Sequence, residues 1–97
     1  MIRHVVLFRW KPEATGEQKE RAAAEVAKLP SLVPSVLGFA AGTDIGVNQG
    51  NFDFTVTADF EDESGYLAYR DDPGHREIVA TYISPIVAER AAVQFQF

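Results

Sequence analysis

His4 and His75 are the only histidines in the chain, and imidazole is the one side chain that ordinarily gains and loses a proton near neutral pH. Positioned beside a reacting carbon, either ring could act as a proton acceptor that later returns the proton. His4 shares a strand face with Val6 and Phe8, whereas His75 follows a helix break, so their spacing alone does not bring them together. Their structural alternatives are a hydrogen bond within the sheet for His4 and packing or capping at the break for His75. Other catalytic groups lack a pattern. There is no cysteine, which excludes disulfides, thiolate nucleophiles and sulfur-ligated zinc. Asp44, Asp53, Asp59, Glu61, Asp62, Asp71 and Asp72 show no metal-binding spacing, and helix caps and solvated turns account for several of them. The serines occupy no nucleophile elbow. Gly38, Gly42, Gly46 and Gly50 are scattered without a phosphate-cradling order. Neither a metal nor another cofactor is expected.

These residues must be held by a small scaffold. Ninety-seven residues suit one domain over 1–97, and the hydrophobic fraction of 46% supplies a real core. At this size an oligomeric interface commonly adds stability. Nine basic and fourteen acidic residues give a formal charge of −5, and no basic stripe departs from that balance, which disfavours nucleic acid. Apolar runs are too short for a membrane span, and the opening residues lack a secretory signal, so a soluble, cytoplasmic protein is expected.

Periodicity divides the chain into strand, helix, strand, strand, broken helix and strand. From Ile2 to Trp10, His4, Val6, Phe8 and Trp10 share one face and Arg3, Val5, Leu7 and Arg9 the other. Both faces are substantially apolar, which predicts cover on both sides. Thr15 and Gln18 form a capping-box pattern opening a helix to about Leu29, where Pro30 ends it or turns it sharply. A strand is expected over Val36–Thr43, with Gly38 and Gly42 fitting a bulge, an edge or close approach by another chain. Phe52–Phe60 reads as the next strand. A helix capped near Glu61 or Asp62 is interrupted at Asp72-Pro73, where Asp72 can cap a second helix carried by Ile78, Val79, Tyr82 and Ile83. The last strand lies within Arg90–Phe97, with Val93, Phe95 and Phe97 opposing Ala92, Gln94 and Gln96. This order is a ferredoxin-like βαββαβ fold of the α+β class, with one sheet face left for a second subunit.

The whole chain resembles the stress-responsive dimeric α/β-barrel (Dabb) family. The resemblance rests on Met1-Ile2-Arg3-His4-Val5-Val6-Leu7-Phe8-Arg9-Trp10-Lys11, on Phe60, on Tyr66 to His75 beside the family's Tyr-x-x-His-Pro-x-His pattern, and on the closing Val93-Gln94-Phe95. Two positions depart from it. Asp72 replaces the first histidine of that pattern, and Gln94 replaces a common aspartate, removing a charge interaction expected near the dimer seam.

The resemblance implies a homodimer whose two sheets face each other with helices outside. Some family members are plant stress proteins, whereas a plant polyketide cyclase of this type assists intramolecular aldol closure. Residue matching to that cyclase places its functional histidine, tyrosine and first-strand histidine at His75, Tyr69 and His4. The implied cavity is lined by Val6, Phe8, Val56, Ala58, Tyr66, Ile78, Val79 and Ile86, together with Ala22, Ala23 and Val26, whose smaller side chains leave it either wider or collapsed. The expected function is binding of a small hydrophobic or aromatic molecule with cofactor-independent acid/base cyclisation or isomerisation. The alternative is a noncatalytic, stress-related structural or interaction module in which these residues simply form the core.

Overall fold

The computed structural model describes residues 1–97. Its order is β1 (Ile2–Trp10), α1 (Gly16–Val26), a short α2 (Leu29–Leu32), β2 (Gly38–Thr43), β3 (Phe54–Phe60), α3 (Glu63–Asp71), α4 (Pro73–Ile78), a π-helical turn (Val79–Ile83) and β4 (Val87–Gln96). The four antiparallel strands lie in the order β2-β3-β1-β4, which is the ferredoxin-like α+β arrangement.

Alternation in the central strands builds the core. His4, Val6, Phe8 and Trp10 of β1 are buried with Phe54, Val56, Ala58 and Phe60 of β3, and the register sets Val6 opposite Val56 and Phe8 opposite Phe54. The helices cover this face. Complete burial of a side chain such as Phe60 contributes about 1.5–3 kcal/mol. On the other face no helix packs, and Val5 and Leu7 remain half-buried while Val93 and Phe95 of β4 are exposed.

Caps fix the helix starts. The Thr15 hydroxyl accepts from the Gln18 amide at 3.1 Å and the Gln18 side chain accepts from the Thr15 amide at 2.9 Å, completing the capping box. Asp62 accepts from the Gly65 amide at 3.0 Å and Asp72 from the His75 amide at 3.1 Å. Asp72 thus closes α3 and opens α4, its extended backbone suiting the residue before a proline.

Several boundaries differ from expectation. α1 stops at Val26 rather than near Leu29, because a continuous helix would drive the Pro30 ring against the Val26 carbonyl; Pro30 instead sits in the first turn of α2. The chain is still turning at Val36, whose amide bonds the Val33 carbonyl, so β2 begins at Gly38. Phe52 lies outside β3, beneath the Arg9 guanidinium at 4.2 Å, and β4 begins earlier than expected, at Val87. Gly38 answers a close approach from within the chain: a Cβ there would meet Asp59 Oδ2 at 2.7 Å, and Asp59 is held by Arg3 at 2.8 and 3.0 Å.

Candidate functional site

A cavity of about 190 Å³ lies between the helices and the covered sheet face. His4, Val6 and Phe8 from β1 and Val56 from β3 form its floor. Tyr66, Tyr69 and Arg70 of α3 close one side with His75 and Ile78 of α4, while Val79, Ile83 and Ser84 bring in the π-helical turn and its end. Val26 and Leu29 complete the apolar wall, and Val87 and Arg90 enter from β4. A larger depression of about 490 Å³ around Leu7, Asp44, Asn51 and Thr55 contains neither histidine nor tyrosine and opens on the uncovered side of the molecule.

The break between α3 and α4 positions the polar wall. Tyr69 lies in the last turn of α3 and His75 in the first turn of α4, and the Asp72-Pro73 corner folds their rings to a centroid separation of 4.1 Å. His4 approaches from the sheet, with its centroid 6.4 Å from that of Tyr69 and 5.0 Å from that of Tyr66. Residues from the first strand and both halves of the broken helix therefore meet at one cavity.

Their protonation states follow from burial and partners. His4 is 5% exposed, and loss of water, aided by the charges of Arg90 and His75, lowers its pKa from 6.5 to about 4. Gln94 Nε2 lies 3.0 Å from His4 Nδ1; an amide N–H donates, so Nδ1 accepts and the ring proton sits on Nε2. His75 also has a lowered pKa, chiefly through burial, against opposing contributions from the Arg70 carbonyl, Asp72 and the Tyr69 carbonyl. Its Nδ1 lies 3.4 Å from the Arg70 carbonyl oxygen, which can only accept. That long contact favours a proton on Nδ1 and leaves Nε2 with a free lone pair. Burial, and secondarily Tyr66, raises the Tyr69 pKa to about 12, so its hydroxyl remains a donor. The arrangement supplies a neutral base, a protonated phenol and a second neutral imidazole in an apolar setting.

Not every residue anticipated for the wall reaches it. Ala22 and Ala58 are completely buried, their methyls too short to emerge past their neighbours, and half-buried Ala23 also lies off the cavity. Ile86 turns toward a separate groove with Thr15, Arg21 and Tyr82 because it precedes β4 on the side of α1. Gln94, expected near a dimer seam, contacts His4 within the chain. Leu29, Arg70, Ile83, Ser84, Val87 and Arg90 are lining residues that periodicity did not single out. Arg90 had a legible signal: it shares the alternating face of Ala92 and Gln94, and the β1–β4 register sets it opposite Phe8.

No group of three or more His, Asp or Glu side chains is placed to hold a metal ion, and no helix is long and apolar enough to cross a membrane. The stress responsive A/B barrel domain family, Dabb, matches residues 2–97. A dimeric ferredoxin-like protein of unknown function from Thermobifida fusca is 44% identical, with a TM-score of 0.92 over 99% of this chain and 90% of the other. A Dabb family protein from Mesorhizobium loti is 24% identical, with a TM-score of 0.83 over 99% and 95% of the two chains. The hydroxynitrile lyase from Passiflora edulis is 20% identical, again with a TM-score of 0.83, over 97% and 90%; at that identity the likeness shows the fold alone. Comparison with curated proteins finds no match.

Proposed function

The chain belongs to the stress responsive A/B barrel domain family, and from that membership we propose that it is a homodimer binding a compact hydrophobic or aromatic molecule for cofactor-independent proton-transfer chemistry. The observation that carries this reading is the convergence of His4, Tyr69 and His75 on one largely apolar cavity. Such a cavity favours an apolar body, while its few polar atoms orient one reactive group.

In this reading His75 Nε2 removes a proton from carbon next to a carbonyl. The C–H electron pair passes into an enolate, whose oxygen receives a hydrogen bond from Tyr69. Bonding of the enolate carbon to a second carbonyl closes a ring as that carbonyl's π pair moves onto its oxygen, and the resulting alkoxide takes the proton back from His75; return of the proton to a different carbon of the enolate instead gives isomerisation. His4, neutral and fixed by Gln94, can donate from Nε2 to a polar group of the bound molecule. His75 and Tyr69 are the acid/base pair, and His4 is the positioning group.

Proton transfer can be read without knowing the natural substrate. Phenylacetone, a compact aromatic ketone, should exchange its benzylic hydrogens for deuterium faster with the folded protein than in buffer. His75→Ala should reduce the protein-dependent rate by about 10²–10⁴-fold, the usual range for a positioned proton-transfer group. Tyr69→Phe should reduce it while keeping the ring's packing. Exchange at the buffer rate, or at the wild-type rate in both folded variants, would remove the catalytic assignment. Phenylacetone binding with no acceleration would instead favour a noncatalytic binding module.

A further inference from the structure

We propose that Arg90 is an anion anchor for the cavity and that the molecule bound there carries a carboxylate on its compact hydrophobic body. The inference rests on the binding role proposed for this cavity and narrows its ligand class.

Arg90 stands apart from the other arginines. Arg3 pairs with Asp59, Arg9 with Glu89, Arg21 with Glu25, and Arg70 and Arg76 with Asp71. Arg90 has neither an ion pair nor a side-chain hydrogen bond, although the chain carries a net charge of −5 and offers abundant carboxylates. It lines the cavity, and its charge reaches inward far enough to disfavour protonation of His4 and to favour ionisation of Tyr69.

The rest of the wall determines which charge would fit. No Asp or Glu lines the cavity, and the second cation there, Arg70, already holds Asp71 at 2.8 and 3.1 Å. An incoming carboxylate would therefore meet one uncommitted guanidinium without a neighbouring negative group. Arg90 itself is exposed, so its attraction for a free ion in water is weak. Joining the carboxylate to an apolar ring changes the balance, because the ring can occupy the cavity while the planar guanidinium offers two parallel N–H donors at its edge. The Tyr69 hydroxyl and His4 Nε2–H remain available for other polar atoms of the same molecule.

Benzoate and benzyl alcohol test this anchor with closely related shapes. Titration followed by calorimetry and backbone NMR at low salt should show wild-type protein binding benzoate about tenfold or more tightly than benzyl alcohol. The difference should shrink as salt increases. Arg90→Gln should abolish the preference while retaining benzyl alcohol binding, and Arg90→Lys should restore part of it by keeping the charge without the fork. Equal wild-type affinities, or an undiminished preference in Arg90→Gln, would overturn the anchor while leaving cavity binding intact. Loss of dimerisation in Arg90→Gln with unchanged benzoate affinity would also overturn it, identifying a carboxylate of a second copy as the partner. Binding of neither probe would remove the underlying cavity reading as well.

Discussion

His4 illustrates how one side chain links the sheet to pH response. Alternation along β1 made its inward face legible, because the neighbours on that face are Val6, Phe8 and Trp10. Its partner is not legible in the same way. Gln94 meets it only through the register between strands at opposite ends of the chain, which residue spacing does not specify. The same long-range pairing brings Arg90 toward the cavity. Because folding lowers the His4 pKa from 6.5 to about 4, the unfolded state binds more protons throughout that interval. The resulting contribution, about 3 kcal/mol, is fully present above pH 6.5 and lost as pH falls through about 4. His75 acts in the same direction. Urea unfolding from pH 7.5 to 4.5 should therefore show wild-type stability falling more steeply than that of His4→Gln, which lacks the titrating ring. Equal slopes would show that His4 does not carry this linkage.

The broken helix shows which element-level signals are strong. Asp-Pro identifies both a stop and a start: Asp72 is extended, Pro73 occupies the first turn of α4, and the Asp72 carboxylate accepts from the His75 amide. The same corner sets the Tyr69–His75 ring separation, so a local cap also supports the geometry of the cavity. Replacing Asp72→Ala should cost about 0.5–2 kcal/mol and increase hydrogen exchange across 75–78, while Asp72→Asn should retain most of the protection. Unchanged exchange and global stability in Asp72→Ala would show that this carboxylate does not stabilise the start of α4. The π-helical turn was not legible in the same way. Ile78, Val79, Tyr82 and Ile83 suit an ordinary apolar helix face, but the Ser84 amide reaches back to the Val79 carbonyl at 2.8 Å, adding a residue to the turn. That register follows from tertiary packing above the sheet, whereas alternation in β1 and β3 is encoded in each strand's own side-chain order.

Across the whole molecule, the two sheet faces have different fates. Helices cover His4, Val6, Phe8 and Trp10, but Val5 and Leu7 point to the other side, where Val5 pairs with Val93 and Leu7 with Ala91 across β1 and β4. Phe95 extends this apolar surface, and Val93 and Phe95 are 58% and 44% exposed. A two-fold dimer that buries this face against its copy would remove apolar surface from water and supplement a core built from only 97 residues. Light scattering over a micromolar concentration series should accordingly report dimer-sized protein, and the thermal midpoint should rise with protein concentration because association stabilises the folded state. Val93→Lys should weaken assembly by placing a charge opposite Val5, on the face away from the cavity. Val93→Ile should preserve assembly and separate loss of apolar contact from a general intolerance of substitution. A stably folded wild-type monomer throughout the concentration series, with a midpoint independent of concentration, would overturn the dimer proposal. If Val93→Lys remains folded and becomes monomeric, its benzyl alcohol affinity then distinguishes a cavity complete within one subunit from one completed by its copy. The cavity lies on the sheet face of His4, Val6 and Phe8, whereas Val93 stands opposite Val5 on the other face, so that affinity should remain near wild type when assembly is lost.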